Sequence, residues 1–592
     1  MKFSDFIIKR CIDNGIDTAF VVTGGAAMHL NNSIANSKLK VVYLHHEQSC
    51  SMAAEAYARI NKKPALVCVT AGPGSINALN GVFGAYTDSI PMIIISGQAK
   101  TETSNNFRKI KNLRQLGDQE VDITSMVKKI TKSAIYIKNA NISLKKIDDI
   151  IASAITGRPG PVWIDVPIDI QGTNVTKLKL DGKNFKVKYK NNKIKLEKIK
   201  LIRNLITNSK KPLILAGSGI NASSTKNKLK RFVYETKIPI VTAWAHDVYN
   251  NFDKYYIGRQ GTIGNRAGNF AVQNSDLLIV LGSRLNIRQV SYNYKSFAKK
   301  AKIIWIDIDK AEFNKKFIKT YLNINCDLND FFKSFFSYKT KFKKKIGWLK
   351  WCNYIKKNFT PRITDYKIYQ KKINVYHFIS YLFPKLKNKT IVCADGAATV
   401  VPSQIGYLNE NTRLIYNSGS ASMGYDLPAA IGVSIKSTNK TVCIAGDGSI
   451  MMNLQELQTI KNLKLDIIIF VLNNDGYLSI KQTQKNFFGN EHGASSKSNL
   501  TFPNFKKISK SFDIKSYSLN LNNYKKKIPK LLKQKGPTLC EIHLDTIQEF
   551  EPKLKSKIVK NEIITPELDD MYPFLEKKKF DEIKKKLSEL TK

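Results

Sequence analysis

Gly446-Asp447-Gly448-Ser449 closes the apolar run Thr441–Ala445, and a helix-length interval later Asn473-Asn474 closes a second apolar run, Ile467–Leu472. Two buried parallel strands joined by a helix bring both turns to the carboxyl edge of one sheet, where open α/β sheets bind ligands. The residue types suit a divalent cation carrying a diphosphate. Asp447 offers a hard anionic oxygen, the Asn474 amide a neutral one, and the backbone carbonyl near Gly476 a third. Phosphate oxygens and water would complete an octahedron around Mg²⁺. A helix opening at Ser449 would turn unpaired N–H groups toward the same phosphates. A GDG sequence alone is only a tight turn, and the spacing to the paired amides makes it specific.

A second constellation lies near the N-terminus. Val41–Leu44 reads as a short buried strand, followed by His45-His46-Glu47-Gln48 and an Ala-rich helix through Ala58. Glu47 therefore stands at a strand-to-helix junction, where a carboxylate is also favoured simply by the helix N-terminus. GDG, a helix and NN at a strand end form the diphosphate motif of thiamine-diphosphate (ThDP) enzymes, which the chain resembles. That chemistry needs a carboxyl group in an apolar pocket beside N1′ of the cofactor's aminopyrimidine, with a pKa raised by burial. Glu47 is the candidate.

Thr70-Ala71-Gly72-Pro73-Gly74-Ser75-Ile76-Asn77 follows the strand Ala65–Val69, and another turn and strand run from Ala85 to Gln98. Together with Gly157–Pro167, these segments resemble the acetolactate synthase branch of ThDP enzymes over most of the chain. The resemblance implies an aminopyrimidine-facing loop containing Pro73 and Asn77. It further implies catalytic roles for Gly25 and Gln119, and cofactor contacts at Gly446, Gly448 and Ser449. In Asn417–Tyr425, Met423 matches the apolar wedge that bends the cofactor; taken alone, a Met is usually core. Gly217, Arg284 and Asp307 end apolar strands of a central region and match dinucleotide contacts in that family. There the chain either binds FAD in a structural role or keeps an empty scaffold, and both readings stand.

Departures from the family pattern concern the acceptor. Thr483 stands where biosynthetic acetolactate synthases usually carry a Trp, Asp395–Thr399 lacks the usual Gly-Gln-His-Gln, and His29 enters the glycine loop Val22–His29. Thr483 and His29 are taken as substrate-pocket residues. The pattern, with Leu285–Asn293 and the tail Leu568–Leu575, is also similar to acetolactate-synthase-like proteins that add a two-carbon unit to the ketone of a nucleotide-linked deoxysugar.

Strands alternating with helix-length intervals predict an α/β protein with three doubly wound parallel-sheet domains. The boundaries read as a pyrimidine-binding domain over 1–171, a central domain over 196–330 and a diphosphate-binding domain over 370–545. A Lys-rich linker covers about 174–195, a second linker follows residue 330, and 546–592 forms a tail containing Pro552, Pro566 and Pro573 that closes over the site as a lid. At 592 residues with 43% hydrophobic content the chain has ample material for three cores. Apolar runs are strand-sized, no signal peptide opens the chain, and eight Cys form no CxxC pair, so a cytoplasmic setting without membrane is expected. The net charge of +49 could attract nucleic acid. Lys outnumbers Arg heavily and lies in linkers and surface helices with no nucleic-acid-binding signature, so no such partner is expected. The family resemblance implies a transferase acting on pyruvate and a carbonyl acceptor, with ThDP and Mg²⁺, as a homodimer or homotetramer. The acceptor is pyruvate, 2-oxobutyrate or a sugar ketone.

Overall fold

The computed structural model describes residues 1–175, 194–338, 340–394, 396–559 and 562–591. Most of the expected 174–195 linker, and Asp395, lie outside the described residues. Three six-stranded sheets carry the architecture. The first contains β1 (Thr18–Val21), β2 (Lys40–Tyr43), β3 (Ala65–Val69), β4 (Met92–Gln98), β5 (Ser133–Tyr136) and β6 (Pro161–Pro167). The second contains β7 (Pro212–Ala216), β8 (Ile240–Thr242), β9 (Tyr256–Arg259), β10 (Leu277–Leu281), β11 (Lys302–Asp307) and β12 (Leu322–Asn325). The third contains β13 (Thr390–Cys393), β14 (Arg413–Ile415), β15 (Thr441–Gly446), β16 (Ile467–Asn473), β17 (Lys515–Leu519) and β18 (Thr538–His543).

All strand pairs within these sheets are parallel. The cause is legible in composition: β3, β7 and β10 are apolar throughout and buried at every position, as strands covered by helices on both faces must be. The strand orders are β2-β1-β3-β4-β6-β5, β12-β11-β10-β7-β8-β9 and β14-β13-β15-β16-β18-β17. The first and third sheets thus share one winding. The central sheet, read from β9 to β12, has the reversing order of dinucleotide-binding folds.

The first and third domains share one hydrophobic core. Helix Glu47–Asn61 lies on helix Asp426–Ser434 so closely that a Cβ at Gly432 would stand 2.0 Å from the Ala53 carbonyl oxygen. Glu55, fully buried on the first helix, pairs with Arg59 and accepts the Tyr425 hydroxyl at 2.5 Å. The chain does not break at residue 330, the expected end of the central domain. Helix Leu328–Phe336 runs through that point because Phe331, Phe332 and Phe335 pack their rings around Phe232. The segment expected as a second linker contains helix Ile346–Phe359, with Trp348 and Trp351 buried, and the final helix Lys577–Thr591 packs on it through a Trp351 Nε1 bond to the Ile583 carbonyl. Among the described residues no helix is long and apolar enough to cross a membrane. All eight cysteines are free and buried.

Candidate active site

In the third sheet the order turns between β13 and β15, and β15 ends at Gly446. Helix Asp447–Ile450 starts at once, two residues earlier than the expected opening at Ser449, and is followed by a short turn over Met451–Asn453 and a separate helix, Glu456–Asn462, rather than by one long helix. The Asp447 carboxylate, 1% exposed, accepts N–H bonds from Gly448 (2.8 Å), Asn474 (3.0 Å) and Gly476 (2.9 Å). Burial pushes its pKa up to about 6, against the pull of those three donors. The buried Asn474 amide donates to the Gly476 carbonyl at 3.1 Å. Asp475 and Gly476 have φ of +57° and +113°, and a Cβ on Gly476 would stand 2.0 Å from the Ala494 oxygen, so only glycine fits there. One network therefore holds Asp447, Asn474 and Gly476.

Among the described residues no cluster of three or more His, Cys, Asp or Glu could hold a metal. The donor set here is one carboxylate, one amide and one carbonyl. That half-shell fits Mg²⁺ arriving with a diphosphate, which brings the remaining oxygens. Gly446 has no atom within 4 Å of its missing Cβ, so open space lies beside it, whereas Gly448 packs on the Tyr477 ring. The Ser449 hydroxyl is not free for phosphate: it donates to Asp426 (2.6 Å) and accepts from the Gly424 N–H (2.9 Å). Burial pushes the Asp426 pKa up to about 6. This contact ties the loop of half-buried Met423 to the GDG turn.

The first sheet turns between β1 and β3. After β3, Gly72 (φ +59°) lets the chain press on the next loop: a Cβ there would stand 2.3 Å from the Gln119 carbonyl oxygen. Pro73 starts helix Pro73–Asn77, its φ suited to a first helical position. Glu47 opens its own helix, which His46 caps through Nδ1 to the Gln48 N–H. Its carboxylate accepts from Asn77 Nδ2 at 3.1 Å, and Gly74 approaches the other oxygen. Glu47 is half-buried in the single chain rather than sealed in an apolar pocket. Gln119, exposed, has φ +54° and is held by its neighbours. Glu120 accepts from Ser104 Oγ and from the N–H groups of Asn105, Asn106 and Gly117, and Gln98 Nε2 donates to the Val121 carbonyl. Gly25 sits exposed in the turn after β1. The His29 ring lies against Gly172, and no described contact joins it to Thr483. Thr483 is exposed on helix Leu478–Phe488, its hydroxyl bonded to the Ser479 carbonyl one turn back (2.9 Å).

Between the domains, at the turning point β7/β10 of the central sheet, lies a cavity of about 630 Å³. Gly219, Ser283, Arg284, Arg288 and Asp307 are among the residues lining it. Gly217 does not line it, but a Cβ there would stand 2.4 Å from the Gly282 oxygen, so glycine lets the turn close. Burial pushes the Asp307 pKa up to about 6. Size, glycine turns, arginines and a carboxylate suit a dinucleotide such as FAD.

Two groups at the site escape a reading of the sequence. Asp426 looks like an ordinary helix-opening carboxylate, and Lys481 is one lysine in a lysine-rich chain.

A glycine turn with one carboxylate at the edge of one sheet, and a carboxylate with a GPG loop at the matching edge of another of the same winding, define a ThDP-dependent enzyme. Residues 1–126, 199–335 and 396–542 match the N-terminal TPP binding domain, central domain and C-terminal TPP binding domain of thiamine pyrophosphate enzymes. The chain is 30% identical to the acetolactate synthase large subunit of Buchnera aphidicola subsp. Schizaphis graminum, over 86% of this chain and 88% of that protein. It is 29% identical to the probable acetolactate synthase large subunit of Methanocaldococcus jannaschii, over 99% and 98%. Against the acetolactate synthase isozyme 2 large subunit of Escherichia coli the figures are 28%, 93% and 97%. The chain belongs to the acetolactate synthase large-subunit family of ThDP enzymes.

Proposed function

We propose that the protein decarboxylates pyruvate and joins the two-carbon unit to a second carbonyl compound, using ThDP held through Mg²⁺. The observation that carries this is the pairing of Asp447, Asn474 and the Gly476 carbonyl on one sheet with Glu47, Asn77 and the Gly72-Pro73-Gly74 loop on its topological twin. Bound ThDP supplies a nucleophilic thiazolium carbon and an electron sink for decarboxylation. Asp447 and Asn474 would hold the cation, while Gly446 and Gly448 let backbone come near the diphosphate. Glu47 would exchange a proton between its carboxyl oxygen and the aminopyrimidine ring, with Gly25 and Gln119 at the same edge of the sheet. Met423 would support the cofactor's bend. FAD would occupy the central cleft beside Arg284 and Asp307, in a structural role, because the ligation has no net redox change.

The proposed domains are 1–171, 196–330 carried on through helix Leu328–Phe336, 370–545 and a tail over 546–592. Lys553 Nζ to Gln482 (2.9 Å) and Lys555 Nζ to Asn486 (2.9 Å) support the tail as a lid over helix Leu478–Phe488. A two-fold dimer is the minimum active unit, alone or doubled to a tetramer. No described hydrogen bond or ion pair joins the Glu47 set to the Asp447 set within one chain, and Ile76, Phe83, Tyr86, Met451 and Met452 stand exposed. A second copy would cover them and complete each site. Eight free buried cysteines suit a reducing cytoplasm.

A second reading, a bulky anionic acceptor such as a nucleotide-linked keto sugar, is favoured by the segment leading into Gln119. Arg108, Lys109, Lys111 and Arg114 alternate there with Phe107, Ile110, Leu113 and Leu116, all exposed. Purified protein incubated with pyruvate, ThDP and Mg²⁺ should release CO₂ and yield acetoin after acid treatment, and an added acceptor ketone should divert that yield. Absence of CO₂ release would refute the function.

A further inference from the structure

Three successive carbonyls follow β16, those of Asn474, Asp475 and Gly476, and they have different fates. Lys481, on the first turn of helix Leu478–Phe488, reaches back and donates from Nζ to the Asn474 carbonyl (2.9 Å) and the Asp475 carbonyl (3.0 Å). The third carbonyl, Gly476, follows the left-handed backbone at 475 and 476, and among the described residues its hydrogen-bond partner is the Asn474 amide alone. Lys481 is 6% exposed and makes no ion pair within 4.0 Å among the described residues. A buried ammonium whose carboxylate neighbours, Asp447, Asp475 and Glu491, act on it without direct contact is expensive unless the site uses its charge or its directed bonds.

We propose that Lys481 is a positioning residue of the metal centre. Its ammonium takes the carbonyls of Asn474 and Asp475, so that the Gly476 carbonyl alone is presented to the cation, and its charge helps balance Asp447 and an incoming diphosphate. The inference rests on the cofactor reading above and names a residue outside the ligand set. Outer-shell groups of this kind orient ligands and typically change metal affinity by about 10–100-fold. The Asp447 carboxylate fixes the same loop through the N–H groups of Asn474 and Gly476. Lys481 fixes it through two of its oxygens, so the two residues hold opposite sides of one strand of backbone.

The test uses full-length protein freed of cofactor. ThDP binding is followed by intrinsic fluorescence at a series of Mg²⁺ concentrations, for wild type, Lys481→Met and Lys481→Gln. Lys481→Met removes charge and donors while keeping the stem; Lys481→Gln keeps N–H donors without charge. The apoprotein of Lys481→Met should retain its far-ultraviolet circular dichroism. The Mg²⁺ concentration needed for half-maximal ThDP binding should rise by about 10–100-fold, and excess Mg²⁺ should restore binding. A general packing defect would not be rescued by the metal. Lys481→Gln should fall between wild type and Lys481→Met, and it carries the test alone if Lys481→Met does not fold. An unchanged Mg²⁺ requirement in the folded variants would overturn the inference, as would a loss that Mg²⁺ does not rescue. Mg²⁺-independent binding by wild type would overturn the cofactor reading itself.

Discussion

Asp165 on β6 is fully buried, and the structure makes its ionisation a measurable burden. Its oxygens accept from Ser96 Oγ (2.6 Å) and Gln98 Nε2 (3.0 Å), Trp163 Nε1 donates to that same Ser96 oxygen, and Gln98 Nε2 also reaches the Val121 carbonyl, two residues from Gln119. Burial pushes its pKa from 3.8 to about 7, the two hydrogen bonds pull it down, and Asp122 and Glu120 add to the rise. The folded state therefore keeps its proton at pH values where the unfolded chain has lost it. Stability from this group falls as pH rises from 3.8 to about 7, and the deficit persists above. From about pH 5 to about pH 8.5 the change is roughly two units at 1.36 kcal/mol each, about 3 kcal/mol.

Asp165→Asn removes the charge but disturbs the Gln98 hydrogen bond, a loss of about 1–3 kcal/mol that does not depend on pH. The informative quantity is a double difference. In urea unfolding of the cofactor-free protein, the stability of the variant relative to wild type should improve by about 3 kcal/mol between about pH 5 and about pH 8.5. A difference between the two proteins that stays constant across that range would refute the buried-charge argument. The carboxyl would then be ionised at low cost, through solvent or a partner group.

Three further outcomes bear on the site. Glu47→Gln should keep the fold and ThDP binding but slow CO₂ release from pyruvate by about 10²–10⁴-fold, the usual worth of a positioned proton-transfer group. Mixed with Asp447→Ala subunits it should regain part of the activity through one intact site per heterodimer, and a mixture no more active than its parents would contradict a shared site. Thr483→Trp should restore a large apolar wall and raise the ratio of acetohydroxybutyrate to acetolactate in competition assays by a factor corresponding to about 1–3 kcal/mol. An unchanged ratio would assign that wall to another side chain.

Much of this was legible because parallel sheets bury both faces of their strands. Apolar runs such as Ile467–Leu472 and Met92–Ile95 are recognisable without any partner. The diphosphate motif was legible for a related reason: its residues lie at the ends of adjacent strands, so their spacing is fixed by one strand–helix–strand unit. What was hidden depends on contacts distant in sequence. Nothing near residue 330 says that Phe331, Phe332 and Phe335 will surround Phe232, so an aromatic, basic stretch reads as linker. The Ser449 hydroxyl looks free until Asp426 arrives from an earlier helix. Lys481 is camouflaged by composition, since only its burial and its two carbonyl partners distinguish it from the surface lysines.

A doubly wound sheet binds at the edge where its order turns. In the first sheet that edge gathers the loops after β1 and β3, with Gly25, Pro73 and Asn77; in the third it gathers the turn after β15, with Gly446 and Asp447. A cofactor with a ring at one end and a diphosphate at the other needs two such edges facing each other. Within one chain the two domains lock together through helices Glu47–Asn61 and Asp426–Ser434, where Gly432 meets Ala53 and Glu55 meets Tyr425, and through the Ser49 hydroxyl bonded to Asn453. That contact fixes the edges relative to each other and leaves Ile76, Phe83, Met451 and Met452 exposed beside them. Two copies related by a two-fold axis would oppose each first-domain edge to the partner's third-domain edge and cover the apolar residues in the same step. The shared winding of the two sheets and the proposed dimer with two equivalent sites would then answer a single geometric requirement.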